Sequence, residues 1–284
     1  MQSDNEQFIF TENARAMIKI QDGCNQFCSY CIIPYARGRI KSRSEEDILK
    51  EIELIAKQGI KEIVITGIHI ASYGKDLENV NNEQPLLNVL QKINMIVGIE
   101  RIRLGSLEPT LMTKEFLDGL IKLEKICDHF HLSLQSGCDT VLRRMNRKYQ
   151  TNEFREIVKQ IREYYPNANL TTDIIVGFPG ETEEEFNSTY EFLKEIKFYQ
   201  MHIFKYSIRK GTVAAIMPNQ IDPKIKEERS NLLIELSKKH ENDIMKNYID
   251  KVVEVLFEEE KDGYMIGHTK NYICVSTLNN EERI

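Results

Sequence analysis

A strand-length run rich in β-branched and aliphatic residues, followed by a stretch of helical period, recurs along this 284-residue chain. Residues 16–20, 62–67, 102–104, 129–134, 170–176 and 202–204 read as strands. Residues 44–59, 85–97, 113–125, 151–164 and 182–196 read as the helices between them, with Ile48, Ile52 and Ile55 spaced to line one face of the first. Ser44 heads that helix with Glu45, Glu46 and Asp47 in its opening turn. Thr182 heads the last with Glu185 three residues on, a capping box. Each helix must carry the chain back before the next strand can pair, so the strands run parallel. The predicted fold class is α/β, a parallel sheet wrapped by helices and wholly or partly closed into a barrel. Functional loops of such barrels lie at the strand C-terminal ends. Thr66-Gly67, Ser106, Gln135-Ser136-Gly137 and Gly177-Phe178-Pro179-Gly180 all fall at such ends.

The pattern changes after Asp222-Pro223, an N-cap followed by proline at the first helical position. A long charged helix is expected to run from there to about Lys246. Residues 252–257, 263–267 and 272–275 then read as three short strands, few for an independent β domain, so this module is expected to be cut short. The predicted organisation is an arm over 1–14, a barrel over 15–221, a connecting helix over 222–247 and a partial all-β module over 248–284.

At the end of the first strand stands Cys24-Asn25-Gln26-Phe27-Cys28-Ser29-Tyr30-Cys31, which holds half of the chain's six cysteines. Gly23 before it and the polar residues within it describe an exposed loop. A structural zinc site takes four ligands, and a ferredoxin run brings a fourth cysteine close by. Here the next, Cys127, is almost a hundred residues away. Three thiolates can hold three irons of a [4Fe–4S] cube and leave the fourth iron open to a substrate or cofactor. The alternatives are a zinc knuckle completed by a histidine such as His69, or three merely buried cysteines.

So few cysteines in so long a chain do not make a disulfide scaffold. The opening MQSDNEQFIF lacks the regions of a signal peptide, and no apolar run reaches membrane-spanning length. A reducing, cytoplasmic setting without membrane contact is expected. The formal net charge of −6 does not advertise a nucleic-acid binder. Local patches are what touch phosphates, however. Arg37, Arg39, Lys41 and Arg43 form one such patch; Arg143, Arg144, Arg147 and Lys148 form another. Both are expected to face substrate phosphates.

The Cys-x3-Cys-x2-Cys spacing with Tyr30 as its aromatic resembles the signature of radical S-adenosylmethionine (SAM) enzymes. Ile33-Pro34-Tyr35-Ala36-Arg37-Gly38, His131-Leu132-Ser133-Leu134-Gln135-Ser136-Gly137, residues 173–182 and Phe204-Lys205-Tyr206-Ser207 resemble the methylthiotransferase family within that group. The resemblance implies a partial (β/α)6 radical SAM barrel followed by an RNA-binding TRAM β module. It implies a [4Fe–4S] cluster on Cys24, Cys28 and Cys31, with the open iron taking SAM. Tyr30, Thr66, Gly67, Gln135, Ser136, Asp173 and Gly177 are the expected SAM contacts, with Asp173 paired to Arg144 or Lys205. No side chain is expected to act as general acid or base.

The implied reaction transfers a methylthio group to a carbon activated by a SAM-derived radical, with tRNA as substrate and flavodoxin or ferredoxin as electron donor. Thr66-Gly67-Ile68-His69, Ser72-Tyr73-Gly74 and residues 144–149 resemble the branch acting on threonylcarbamoyladenosine. The isopentenyladenosine branch is the alternative. Family members carry an amino-terminal domain with three further cysteines for an auxiliary sulfur-donor cluster. Cys127, Cys138 and Cys274 are too scattered to replace them. A catalytically incomplete, RNA-binding fragment is therefore the rival reading.

Overall fold

The computed structural model describes residues 14–77 and 84–279, so the arm expected over 1–14 lies outside the described residues except for Ala14. The chain runs β1 (Arg15–Asp22), α1 (Ile33–Ala36), β2 (Lys41–Ser42), α2 (Glu45–Lys57), β3 (Glu62–Gly67), α3 (Pro85–Asn94), β4 (Arg101–Leu104) and α4 (Lys114–Leu120). It continues through β5 (His129–His131), α5 (Asp139–Arg144), α6 (Thr151–Tyr164), β6 (Asn169–Val176), α7 (Glu183–Ile196), β7 (Gln200–Lys205) and α8 (Pro223–Met245). Three strands close the chain: β8 (Val255–Lys261), β9 (Tyr264–Thr269) and β10 (Cys274–Leu278).

The caps anticipated from sequence are formed. The Ser44 side chain accepts from the Asp47 N–H, Thr182 and Glu185 make a reciprocal box, and Asp222 accepts from Lys224. Strands β1, β3 and β4 pair in parallel, as do β5, β6 and β7. Backbone bonds from Leu107 to His131 and from Ser133 to Leu107 join the two groups. The result is one arc of six parallel strands in chain order, with helices on its convex face. A short antiparallel β2 lies on the outer side of β1.

Side chains alternate across the strands. Ile18, Ile20, Ile63, Ile65, Ile102 and Ile174 face the helices and are fully buried in one continuous core. Met17, Lys19, Val64, Thr66, His131, Asp173 and His202 fall on the other register and face the lumen, where burial is incomplete. Two short helices, α1 and α5, give no periodic signal because neither completes two turns. The strand expected to reach residue 134 stops at His131, and its continuation is a set of isolated bridges. Gln135 with φ +70° turns the chain there.

The three-stranded antiparallel sheet β10-β9-β8 is separate from the arc. It packs against the N-terminal starts of the barrel strands, opposite the cysteine loop. The Tyr272 ring is stacked between His129 and His268, both centroids 4.7 Å away. Arg101 donates to Glu254 at 2.8 Å and Arg103 to the Lys270 carbonyl at 3.1 Å, while Asn169 donates to the Asn271 carbonyl at 2.8 Å. Glu62, 1% exposed, neutralises Arg103 at 2.8 Å from below the lumen. Among the described residues no helix is long and apolar enough to cross a membrane.

Candidate active site

Strand β1 ends by delivering a loop that four other parts of the chain hold in place. Buried Gln21 donates to the Gly23 carbonyl at 2.7 Å and accepts from the His69 N–H at 2.8 Å. Gly23 has φ +67°, and a Cβ there would stand 1.9 Å from the Arg39 carbonyl oxygen. Only glycine fits both demands. The Cys24 N–H donates to Gly38 at 3.2 Å, and the Ser29 N–H to Met145 at 3.0 Å. Ser29 Oγ donates to the Arg144 carbonyl at 2.8 Å, and Asn146 Nδ2 to Phe27 at 2.9 Å. The Ala214 N–H closes the set on the Ser29 carbonyl at 2.8 Å.

Two of the three sulfurs meet an N–H donor: Gln26 N–H approaches Cys24 Sγ at 3.4 Å, and Arg147 Nη1 approaches Cys28 Sγ at 3.3 Å. Burial raises the Cys24 and Cys31 thiols above their ordinary values, so the free loop holds these two protonated and cluster binding must release protons. Among the described residues, the three sulfurs do not converge within 4.8 Å of one another, with or without His69. A single zinc ion needs tighter convergence, whereas a cube holds its cysteines farther apart. His69 is held elsewhere, Nδ1 with Ser72 Oγ at 2.7 Å and Nε2 at 3.6 Å from Glu108. Three separated thiols, two of them met by N–H donors, fit a [4Fe–4S] cluster, and Cys24, Cys28 and Cys31 would hold it.

The other expected contacts divide. Tyr30 lies edge-on to Phe178 with its ring beside Cys28. Thr66 faces the lumen, half-buried. Gly67 is required by packing: a Cβ would come within 2.9 Å of the Gln21 carbonyl. Gln135 holds a strained positive φ at the end of β5, tied by its N–H to Asp173 O at 2.9 Å. The Ser136 hydroxyl is turned into the protein, 3.1 Å from Thr189 Oγ1 and accepting from Cys138 N–H. The Gly177 N–H donates to Glu181 Oε2 at 2.7 Å, and a Cβ there would meet the Lys226 stem at 2.3 Å.

Two expectations are corrected. Asp173 does not pair with Arg144 or Lys205. It faces His131, with Oδ2 3.2 Å from Nε2. Arg144 is held by Glu185 in a bidentate pair at 2.8 and 2.6 Å, and Lys205 pairs with Glu227 on α8. The second basic patch also dissolves. Arg147 is 6% exposed and joins Glu108 at 2.7 Å, leaving Arg143 and Lys148 exposed. Helix α5 ends at Arg144, and the positive φ of Asn146 turns the chain before Arg147, so these neighbouring arginines point in different directions.

Glu108 is the functional neighbour that the sequence did not single out, and Arg147, expected at substrate phosphates, stands instead beside Cys28. Burial alone would raise the Glu108 carboxyl. The His69 contact and the Arg147 charge outweigh it and hold the group below its usual range. Its place just past β4, at a strand C-terminal end, was the available signal.

A family profile described as the Radical SAM superfamily matches residues 18–193, and the chain belongs to that superfamily. Solved structures share the fold. One is the radical SAM methyltransferase TsrM from Kitasatospora setae, with TM-score 0.58, 19% identity and cover of 70% of this chain and 38% of that one. Another is coproporphyrinogen III oxidase from Escherichia coli, with TM-score 0.56, 15% identity and cover of 80% and 52%. Closer in sequence is the threonylcarbamoyladenosine tRNA methylthiotransferase MtaB of Bacillus subtilis, 41% identical over 280 residues, 97% of this chain and 61% of the relative. The tRNA-2-methylthio-N(6)-dimethylallyladenosine synthase of Alkaliphilus oremlandii is 42% identical over 273 residues, 95% of this chain and 57% of the relative. The chain thus spans about three-fifths of the length of these relatives.

Proposed function

We propose that the protein is a radical SAM methylthiotransferase that modifies N6-threonylcarbamoyladenosine beside the anticodon of tRNA. The observation that carries the reading is the cysteine loop. Three thiols, two of them met by N–H donors, stand at the strand C-terminal face of a chain that resembles methylthiotransferases over most of its length. When bound, the cluster supplies one electron to SAM and so the radical chemistry for hydrogen abstraction. The chain's own residues supply placement. Gly23 and Gln21 fix the loop, Arg147 sets a positive charge against Cys28, and Glu108 and His69 hold that charge in position. Tyr30 within the loop, Thr66 on β3, and Gln135 and Gly177 past the strands β5 and β6 are the candidate SAM contacts, and Asp173 lies deeper in the lumen.

The relative from Bacillus subtilis and the polar lumen favour threonylcarbamoyladenosine. His131, Asp173 and His202 make a poor bed for an apolar isopentenyl group and a better one for the N–H and hydroxyl donors of a threonylcarbamoyl group. Dimethylallyladenosine remains the second reading because relatives carrying that name match equally well. The β8–β10 sheet is proposed as part of a TRAM-like RNA-binding module, and a flavodoxin- or ferredoxin-type donor as the electron source.

The test is iron content and 5′-deoxyadenosine formation from SAM under dithionite, with Cys28→Ala as control, followed by nucleoside analysis of tRNA. About four irons per chain, as one cubane requires, and SAM cleavage lost in the variant are expected. Zinc in place of iron, or intact SAM, refutes the radical reading. Methylthiolated dimethylallyladenosine as product refutes the substrate assignment alone.

A further inference from the structure

Inside the barrel, on three neighbouring strands, stands a polar group that neither the cysteine loop nor its supports use. His131 comes from β5, Asp173 from β6 and His202 from β7. One ligand atom from each lies within 4.8 Å of the other two. We propose that these three side chains form a second metal site, for a divalent late first-row transition ion.

The donor set comes first. Two imidazoles and one carboxylate suit zinc, iron(II), cobalt(II) or nickel(II), and suit magnesium or calcium poorly. Bonds of about 2.0–2.2 Å at near-octahedral or tetrahedral angles separate ligand atoms by about 3–3.5 Å. His131 Nε2 and Asp173 Oδ2 already stand 3.2 Å apart. His202 is exposed, and among the described residues no hydrogen bond or ion pair restrains it. Its ring, 5.6 Å from that of His131, needs only a rotation to close the triangle.

The support comes second. His131 Nδ1 lies 2.9 Å from Thr171 Oγ1, and the same oxygen meets His129 Nε2 at 3.0 Å. Such an outer hydrogen bond fixes the ring and leaves Nε2 for a metal. Asp173 and His202 are register partners, and His131 is the register partner of Thr171. All three groups therefore sit on rigid paired backbone rather than on loops. Asp173 has no lysine or arginine partner among the described residues, so a carboxylate is held in the lumen without a permanent countercharge. A bound cation would provide one.

The site is distinct from the cysteine loop. It draws no ligand from that loop: His131 closes β5, and Asp173 and His202 lie three positions, about 10 Å along a strand, before the ends of β6 and β7 at Val176 and Lys205. Three protein donors leave coordination positions open toward the lumen, where a carbonyl or carboxylate oxygen of a substrate would complete them. Metal binding itself does not depend on the function proposed above.

The test uses the full chain with its cluster loaded anaerobically, so that the three cysteines are occupied. Zinc is titrated by calorimetry, and the loaded protein is examined at the zinc absorption edge. One zinc per chain is expected, with nitrogen and oxygen scatterers at about 2.0–2.1 Å. His202→Ala and Asp173→Asn are each expected to weaken binding at least tenfold while iron content and far-ultraviolet circular dichroism stay unchanged. Absence of zinc binding at about 0.1 mM, or sulfur scattering at about 2.3 Å, would overturn the proposal. So would variants that bind zinc as the parent does. The wild-type scattering result stands even if a variant misfolds.

Discussion

Replacing Gly23 by alanine tests whether the cysteine loop is held as described. Two costs come from the geometry. A non-glycine residue in the left-handed region loses about 1–2 kcal/mol. The new Cβ would lie 1.9 Å from the Arg39 carbonyl oxygen, where ordinary contact begins at 3.4 Å. One backbone must therefore retreat by about 1.5 Å, the difference of those two distances. That retreat breaks the Cys24 N–H bond to Gly38, worth about 1 kcal/mol, and adds about 1–3 kcal/mol of overpacking. The total is roughly 3–6 kcal/mol. Gly38→Ala is the internal control. Its φ is +81° but nothing lies within 4 Å of the added methyl, so only the conformational cost of about 1–2 kcal/mol applies. The assay is thermal melting together with iron per chain after anaerobic reconstitution. Gly23→Ala should melt well below Gly38→Ala and hold little iron. Equal melting temperatures with full iron in both would refute the reasoning.

Arg147→Met should destabilise the protein by about 3 kcal/mol, because it takes the guanidinium from the buried Glu108 carboxylate and leaves it only the 3.6 Å contact with His69. Adding Glu108→Gln should restore part of that loss in denaturant titrations, and a double variant no more stable than the single one would contradict the pairing. The Arg144 hydrogen bond, against a smaller opposing effect of burial, holds the Glu185 carboxyl at about 2 rather than 4.5. A depressed folded-state value means the contribution is complete above pH 4.5 and is lost as pH falls toward about 2. The stability gap between the parent and Glu185→Gln should therefore narrow across that window, and a constant gap would count against it. Tyr272→Ala removes the ring between His129 and His268 and should cost about 3–5 kcal/mol. Proteolysis should then reach the β8–β10 segment first; unchanged melting would show that the stack carries little.

The elements that announced themselves were those whose signal is local. The cysteine spacing lies within eight residues. The caps at Ser44, Thr182 and Asp222 are short-range hydrogen bonds between neighbours in sequence. Six strand-and-helix units in order imply a parallel arc, because few other connections are open to such a chain. The short helices α1 and α5 escaped notice, and so did the early end of β5, where a single positive φ at Gln135 outweighs a good strand pattern.

By itself, then, the sequence determined the order of elements, the parallel sheet and the loop that presents three thiols. Tertiary structure decided which charges meet. Arg147 reaches Cys28 across 119 positions of sequence, and Arg144, three residues earlier, turns instead to Glu185. Asp173 faces two histidines rather than an arginine because a strand's two-residue period sends it into the lumen. Composition carries no record of which side chains share that lumen. Only the curvature of the sheet brings β5, β6 and β7 close enough for His131, Asp173 and His202 to converge.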